Sequence, residues 1–100
     1  MRTLLKITID AEPGSRALRD GSLPKAIQST IERLKPEATY FLPSGGKRTA
    51  LIVFDLKDSS EIPSISEPFF AGVNATVEFS PVMNFDDLMS GLRRIELARA

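Results

Sequence analysis

Lys6 and Glu78 set an ammonium beside a carboxylate, each near the middle of a segment that alternates polar and apolar residues. Shielded from water, such a pair is tuned by burial and by its own mutual charge, and it can move a proton or grip a polar ligand. Left wet, it is a cross-strand pair that steadies a sheet or spans a dimer cavity. That structural role is the commoner one. By the same alternation Thr8, Tyr40, Thr49, Asp55 and Ser80 fall on the same side and offer hydroxyls and a carboxylate for hydrogen bonds. Lys6, Thr8, Tyr40, Thr49, Asp55, Glu78 and Ser80 are therefore the candidate ligand-binding set. No catalytic residue and no metal ligand is assigned.

The composition narrows the chemistry. The 100 residues contain no His and no Cys. This removes a Ser-His-Asp triad, a thiol nucleophile, a His-ligated haem, Cys-ligated zinc or iron–sulfur sites, and disulfides. No cofactor is expected. Thirteen Lys and Arg balance thirteen Asp and Glu, whereas a nucleic-acid binder needs a basic footprint. Gly45-Gly46-Lys47-Arg48-Thr49 imitates part of a phosphate loop. It lacks the earlier Gly, has Arg after the Lys, and leads into a strand rather than a helix. RNA-binding sheets carry a basic residue, a Gly and stacked aromatics on the third strand. Here that strand reads Arg48-Thr49-Ala50-Leu51-Ile52-Val53-Phe54, without the Gly and with Phe54 on the opposite side. No nucleic-acid partner is expected. Asp58, Asp86 and Asp87 read as helix caps. Asn74-Ala75-Thr76 matches a glycosylation sequon by chance. The opening MRTLLKITID is too short and too broken by Lys6 for a signal peptide, and no apolar run approaches the ~18 residues of a membrane span. A cytoplasmic protein with no membrane partner is the expectation.

The elements that would position these residues follow from periodicity. Residues 3–9 alternate, with Leu5, Ile7 and Ile9 against Lys6 and Thr8, which predicts a strand ended by Pro13-Gly14. Ser15 is placed to cap a short helix stopped by Gly21. Ser22 is placed to cap a longer one, with Pro24 in its first turn and Leu23, Ile27, Ile31 and Leu34 at helical spacing. Lys35-Pro36 closes it. Ala38–Leu42 and Arg48–Leu56 are two β-rich runs. A turn at Gly45-Gly46 makes paired residue numbers sum to 91, setting Tyr40 opposite Leu51, Phe41 opposite Ala50 and Leu42 opposite Thr49. A helix capped by Ser60 carries Ile62, Ile65 and Phe69 and is kept short by Pro68 and Gly72. Residues 75–83 alternate again. Asn84 with Asp87 opens a last helix striped by Leu88, Leu92 and Ile95.

The order β-α-β-β-α-β plus a terminal helix predicts an α+β fold in a single domain over residues 1–100, the ferredoxin-like arrangement. Two right-handed crossovers give an antiparallel four-stranded sheet in the order 4-1-3-2. One sheet face carries Leu5, Ile7, Ile9, Phe41, Ala50, Ile52, Phe54, Leu56, Val77 and Phe79 and should lie under the helices. The other carries the candidate set together with Leu4, Leu42, Leu51 and Val53. A face open to water is mostly polar; this one is too apolar to stay bare. A second copy of the same face is the expected cover, giving a homodimer. The alternative cover is the last helix folded back.

This layout resembles the dimeric α/β-barrel superfamily. The segment from Phe54 through Leu88, with Asp58-Ser59-Ser60-Glu61, Glu67-Pro68-Phe69-Phe70, Val77-Glu78-Phe79-Ser80-Pro81-Val82-Met83 and Asp86-Asp87-Leu88, is similar to small bacterial members of it. The superfamily includes cofactor-free monooxygenases, ring isomerases, and haem peroxidases and degraders. The resemblance implies a dimeric barrel. The lack of His sets the chain apart from the His-ligated haem branch, and no monooxygenase motif carries over. The leading expectation is a homodimeric, cofactor-free module binding a small, mostly apolar ligand. The alternatives are a cofactor-free monooxygenase or isomerase using Glu78 or Asp55 as base, and a structural or subunit-interaction protein.

Overall fold

The structure is a computed structural model that describes residues 1–99. Its elements are β1 (Arg2–Ile9), α1 (Ala11–Asp20), α2 (Ser22–Leu34), β2 (Ala38–Ser44), β3 (Lys47–Asp55), a 3-10 turn (Ser59–Glu61), α3 (Ile62–Val73), β4 (Thr76–Pro81) and α4 (Phe85–Arg99). The strands form one antiparallel sheet in the order β2-β3-β1-β4, which read from the β4 edge is 4-1-3-2. Both edge strands carry a proline, Pro43 in β2 and Pro81 in β4.

The period of two in β1 is strict, with every odd residue from Thr3 to Ile9 buried and every even one half-buried. Leu5, Ile7, Ile9, Ile52 and Phe54 meet Ala17 of α1, Leu23 of α2, and Ile65, Phe69 and Val73 of α3. Burying each large side chain contributes about 1.5–3 kcal/mol. Phe54 and Phe79 meet edge to face with centroids 6.5 Å apart, the geometry that ring quadrupoles favour. The hairpin holds the expected register: Tyr40 faces Leu51, Phe41 faces Ala50 and Leu42 faces Thr49. Gly45 and Gly46 have φ of 61° and 76°, which a side chain would strain.

Several local expectations are corrected. Pro13 and Gly14 do not end β1. The strand stops at Ile9 and α1 begins at Ala11, so Ser15 lies inside the helix rather than capping it. Pro13 sits in the first turn, where a helix leaves its N–H groups unpaired. Gly14 serves packing: a Cβ there would lie 2.9 Å from Ile9 Cγ2 and 3.0 Å from Arg48 Nη1. Gly21, not Ser22, occupies the cap of α2. Asp58 rather than Ser60 caps the turn before α3, its carboxylate accepting from the Ser60 N–H at 2.8 Å. α3 runs through Pro68 and Gly72 to Val73 and is terminated by Asn74 in the left-handed region. The buried packing of Ile65, Phe69 and Val73 outweighs the one backbone bond that Pro68 forgoes.

One departure concerns a layer, and the alternative cover for the other sheet face is not used. Phe41 faces the helix side but is 55% exposed, because α2 stops short of the β2 edge. And α4 does not fold back over the other sheet face. All of its described residues are exposed, and the molecule measures 59 × 28 × 18 Å. Its radius of gyration is 16.4 Å, where a compact chain of this length has about 13 Å. α4 is an arm.

Candidate functional site

Pleating fixes which side chains share the helix-free face of the sheet. Tyr40, Leu51, Lys6 and Glu78 form one cross-strand row; Leu42, Thr49, Thr8 and Thr76 form the next; Ala38, Val53, Leu4 and Ser80 form the third. Asp55 lies beyond them, opposite Arg2. The rows divide the face. The β2–β3 half is apolar, with Leu42, Leu51 and Val53, whereas β4 contributes Thr76, Glu78 and Ser80. Lys6 stands at the boundary.

Lys6 and Glu78 are direct cross-strand neighbours, but no ion pair joins them among the described residues, and Glu78 is exposed. Tyr40 is 66% exposed beside Leu51. Thr8 and Thr49 are paired across β1 and β3. Thr49 is buried and its hydroxyl donates to the Lys47 carbonyl at 3.1 Å, so that proton is already engaged locally. Ser80 is exposed at the β4 edge opposite Leu4. Asp55 is turned to the sheet's end, where the Met1 amino group donates to its carboxylate at 2.7 Å and to the Leu56 carbonyl at 2.9 Å. That hydrogen bond, with the ammonium charge behind it, holds the Asp55 carboxyl below the usual carboxylate range. Five of the seven candidates, Lys6, Thr8, Tyr40, Thr49 and Glu78, thus occupy two adjacent rows, and Asp55 and Ser80 lie further toward the end.

The arrangement suits binding better than proton abstraction. A general base working near neutral pH needs a raised pKa. Asp55 is lowered and Glu78 is open to water. Lys6, flanked by Leu51 and Leu4, offers a cation at the border of an apolar surface, a setting for an acidic or hydroxylated apolar molecule. Among the described residues no three or more His, Cys, Asp or Glu gather to hold a metal ion. No described helix is long and apolar enough to cross a membrane.

A second concavity lies on the helix side and was not foreseen. Between α2 and β2 runs a groove of about 640 Å³ walled by Ile9, Leu23, Ile27, Phe41 and Ala50, with Lys47 and Arg48 at its hairpin end. It continues past Leu23, Ile27 and Phe41 into a shallower stretch reaching Ile31 and Glu32. The signal in the sequence is Phe41, an aromatic facing the helices from an edge strand.

No family model matches the chain, and no curated protein matches it.

Proposed function

We propose that the chain is a homodimeric, cofactor-free binding module of the ferredoxin-like, dimeric α/β-barrel kind. In it the helix-free faces of two copies close on one another around a small, mostly apolar molecule. The observation carrying this reading is that Leu4, Tyr40, Leu42, Leu51 and Val53 share a sheet face that no helix covers, with α4 directed elsewhere. Apolar surface of that extent marks an interaction site. Pairing it with its own copy gives a closed two-fold assembly. Lys6, Tyr40 and Glu78 are the polar anchors, with Thr8 and Thr49 beside them and Asp55 and Ser80 at the rim.

The test is a thermal-shift panel of small apolar acids and alcohols, run on protein whose mass is followed by light scattering. A true ligand at a hundredfold excess over its Kd stabilises by about 2.7 kcal/mol. A dimer that no member of the panel stabilises would leave the subunit-interaction reading instead, which the exposed apolar stripe of α4 favours.

A further inference from the structure

Arg48 of β3 lies on the helix side of the sheet, in one row with Pro43 and Ile9. Its guanidinium crosses α1 where Gly14 leaves room, since a Cβ there would stand 3.0 Å from Nη1. Nη1 donates to the Ala11 carbonyl and Nη2 to Ser15 Oγ, both at 3.4 Å. Bonds from a charged donor to a charged acceptor are shorter, about 2.7–2.9 Å. The two contacts use two of the five N–H donors of a guanidinium. Among the described residues no carboxylate pairs with Arg48. Its neighbour Lys47 differs, because Asp10 holds it at 2.9 Å. Ser15 is half-buried. Its hydroxyl accepts from Arg48 and, among the described residues, donates to nothing. A held cation and a spare hydroxyl proton therefore stand side by side.

Both border the hairpin end of the α2–β2 groove. Leu23 and Ile27 of α2 form one wall, and Phe41 and Ala50 form the floor. The volume of about 640 Å³ lies within the roughly 300–1,000 Å³ of small-molecule sites, which combine apolar walls with a few placed polar groups. The shallower far stretch passes Ile31 and carries Glu32, which repels an anion. An occupant is thereby oriented, with its charge at Arg48 and its apolar body along Leu23, Ile27 and Phe41. At the polar end Lys47 and Arg48 are positive and Asp10 is negative, a net of one positive charge. That balance suits one carboxylate better than a phosphate dianion. The α2 wall from Leu23 to Ile31 runs roughly 12 Å, the room for an extended chain.

We propose that the α2–β2 groove binds an amphipathic monocarboxylate of the fatty-acid type. Arg48 and Ser15 donate to the carboxylate oxygens, and the apolar chain covers the ring of Phe41, which is 55% exposed in its absence. The planar fork of an arginine matches a carboxylate, and covering the ring removes apolar surface from water. The site is complete within one chain. It lies on the opposite side of the sheet from Lys6, so it depends neither on dimerisation nor on the sheet-face ligand.

The test uses decanoate, below its micelle threshold, on the isotope-labelled full chain. Amide shifts are expected at Ser15, Leu23, Phe41 and Arg48. By calorimetry decanoate is expected to bind at least tenfold more tightly than decanol, because a hydrogen bond to a charged group is worth roughly ten- to a hundredfold. Arg48→Gln, checked for folding by circular dichroism, should weaken decanoate at least tenfold and leave decanol unchanged. Ser15→Ala should weaken decanoate less, and Phe41→Glu should weaken both probes. Equal binding of the two probes overturns the proposal, as does an unchanged decanoate constant in Arg48→Gln or Phe41→Glu. Lys6→Gln separates this site from the sheet face and should change nothing here. Binding lost in Lys6→Gln, with shifts centred on Lys6 and Leu51, puts the acid on the helix-free face and overturns the groove site while supporting the sheet-face one. No binding of decanoate at all overturns the groove site alone, since the dimer is read separately from its mass.

Discussion

The guanidinium of Arg2 stands 3.2 Å from Asp87 Oδ2 while its Nε donates to Glu37, so the first residue of β1 ties the approach to β2 to the first turn of α4. Asp87 also accepts from the Asn84 N–H at 3.0 Å, and its own N–H donates to Asn84 Oδ1 at 2.8 Å. This reciprocal capping pair starts the helix, and Arg2 aims it. Arg2→Ala is expected to leave the melting temperature nearly unchanged, because the pair is exposed and screened. It should raise amide hydrogen exchange over residues 84–90. Exchange as slow as in the parent would show that the cap alone fixes the arm.

Gly14→Ala tests the contact of α1 with Ile9 at the end of β1 and Arg48 of β3. In an ordinary helix the change gains up to about 1 kcal/mol. Here the new Cβ meets the buried Ile9 side chain at 2.9 Å, and overpacking of a close-packed site costs about 1–3 kcal/mol. The overpacking term wins, and a lower urea midpoint with an unchanged slope is the expected result.

Phe54→Ala removes a fully buried ring and its edge-to-face partner contact with Phe79. The expected loss is about 3–5 kcal/mol, a large part of the ~5–15 kcal/mol of a domain this size. Denaturant titration should find the variant folded only at low denaturant, if at all.

Leu51→Arg puts a charge in the middle of the helix-free face, next to Lys6. The residue is only half-buried in the single chain, so circular dichroism should be unchanged while scattering reports a smaller particle. A parent-like mass would mean that this face is not where copies meet.

Acid should weaken the fold. Three carboxyls lie below their ordinary values: Asp58, bonded by the Ser60 backbone N–H and then its hydroxyl; Asp20, bonded by the Ser22 side chain and then its N–H; and Asp55, bonded by the Met1 ammonium. A folded-state value below the unfolded ~3.9 contributes stability that is present above that pH and lost as pH falls through the folded value. Urea midpoints are therefore expected to be flat from about pH 7 to 5 and to decline below about pH 4. The triple Asn substitution at 20, 55 and 58 should decline less steeply.

What could be read in the chain is what neighbouring residues decide. The hairpin register followed from two adjacent glycines that both take positive φ, and the α4 start followed from Asn84 with Asp87. The sorting of β1, β3 and β4 into two faces needed only the period of two. Errors arose where a distant partner overrode a local signal. Pro13 and Gly14 looked like a stop, yet Gly14 is small because Ile9 and Arg48 crowd it. Pro68 looked like a breaker, yet the core holds α3 together across it. The ties of Arg2 to Glu37 and Asp87 span 35 and 85 residues, and no periodicity encodes them. The candidate side chains were placed on the correct face, but the capture of Asp55 by Met1 and of the Thr49 hydroxyl by Lys47 needs coordinates to be seen.

Pro43 and Pro81 each delete an amide donor from an outermost strand of the sheet. A sheet with blunted rims resists recruiting further strands sideways, the route by which exposed edges nucleate fibrils. The proposed pairing through side-chain surfaces would then close on two copies instead of polymerising.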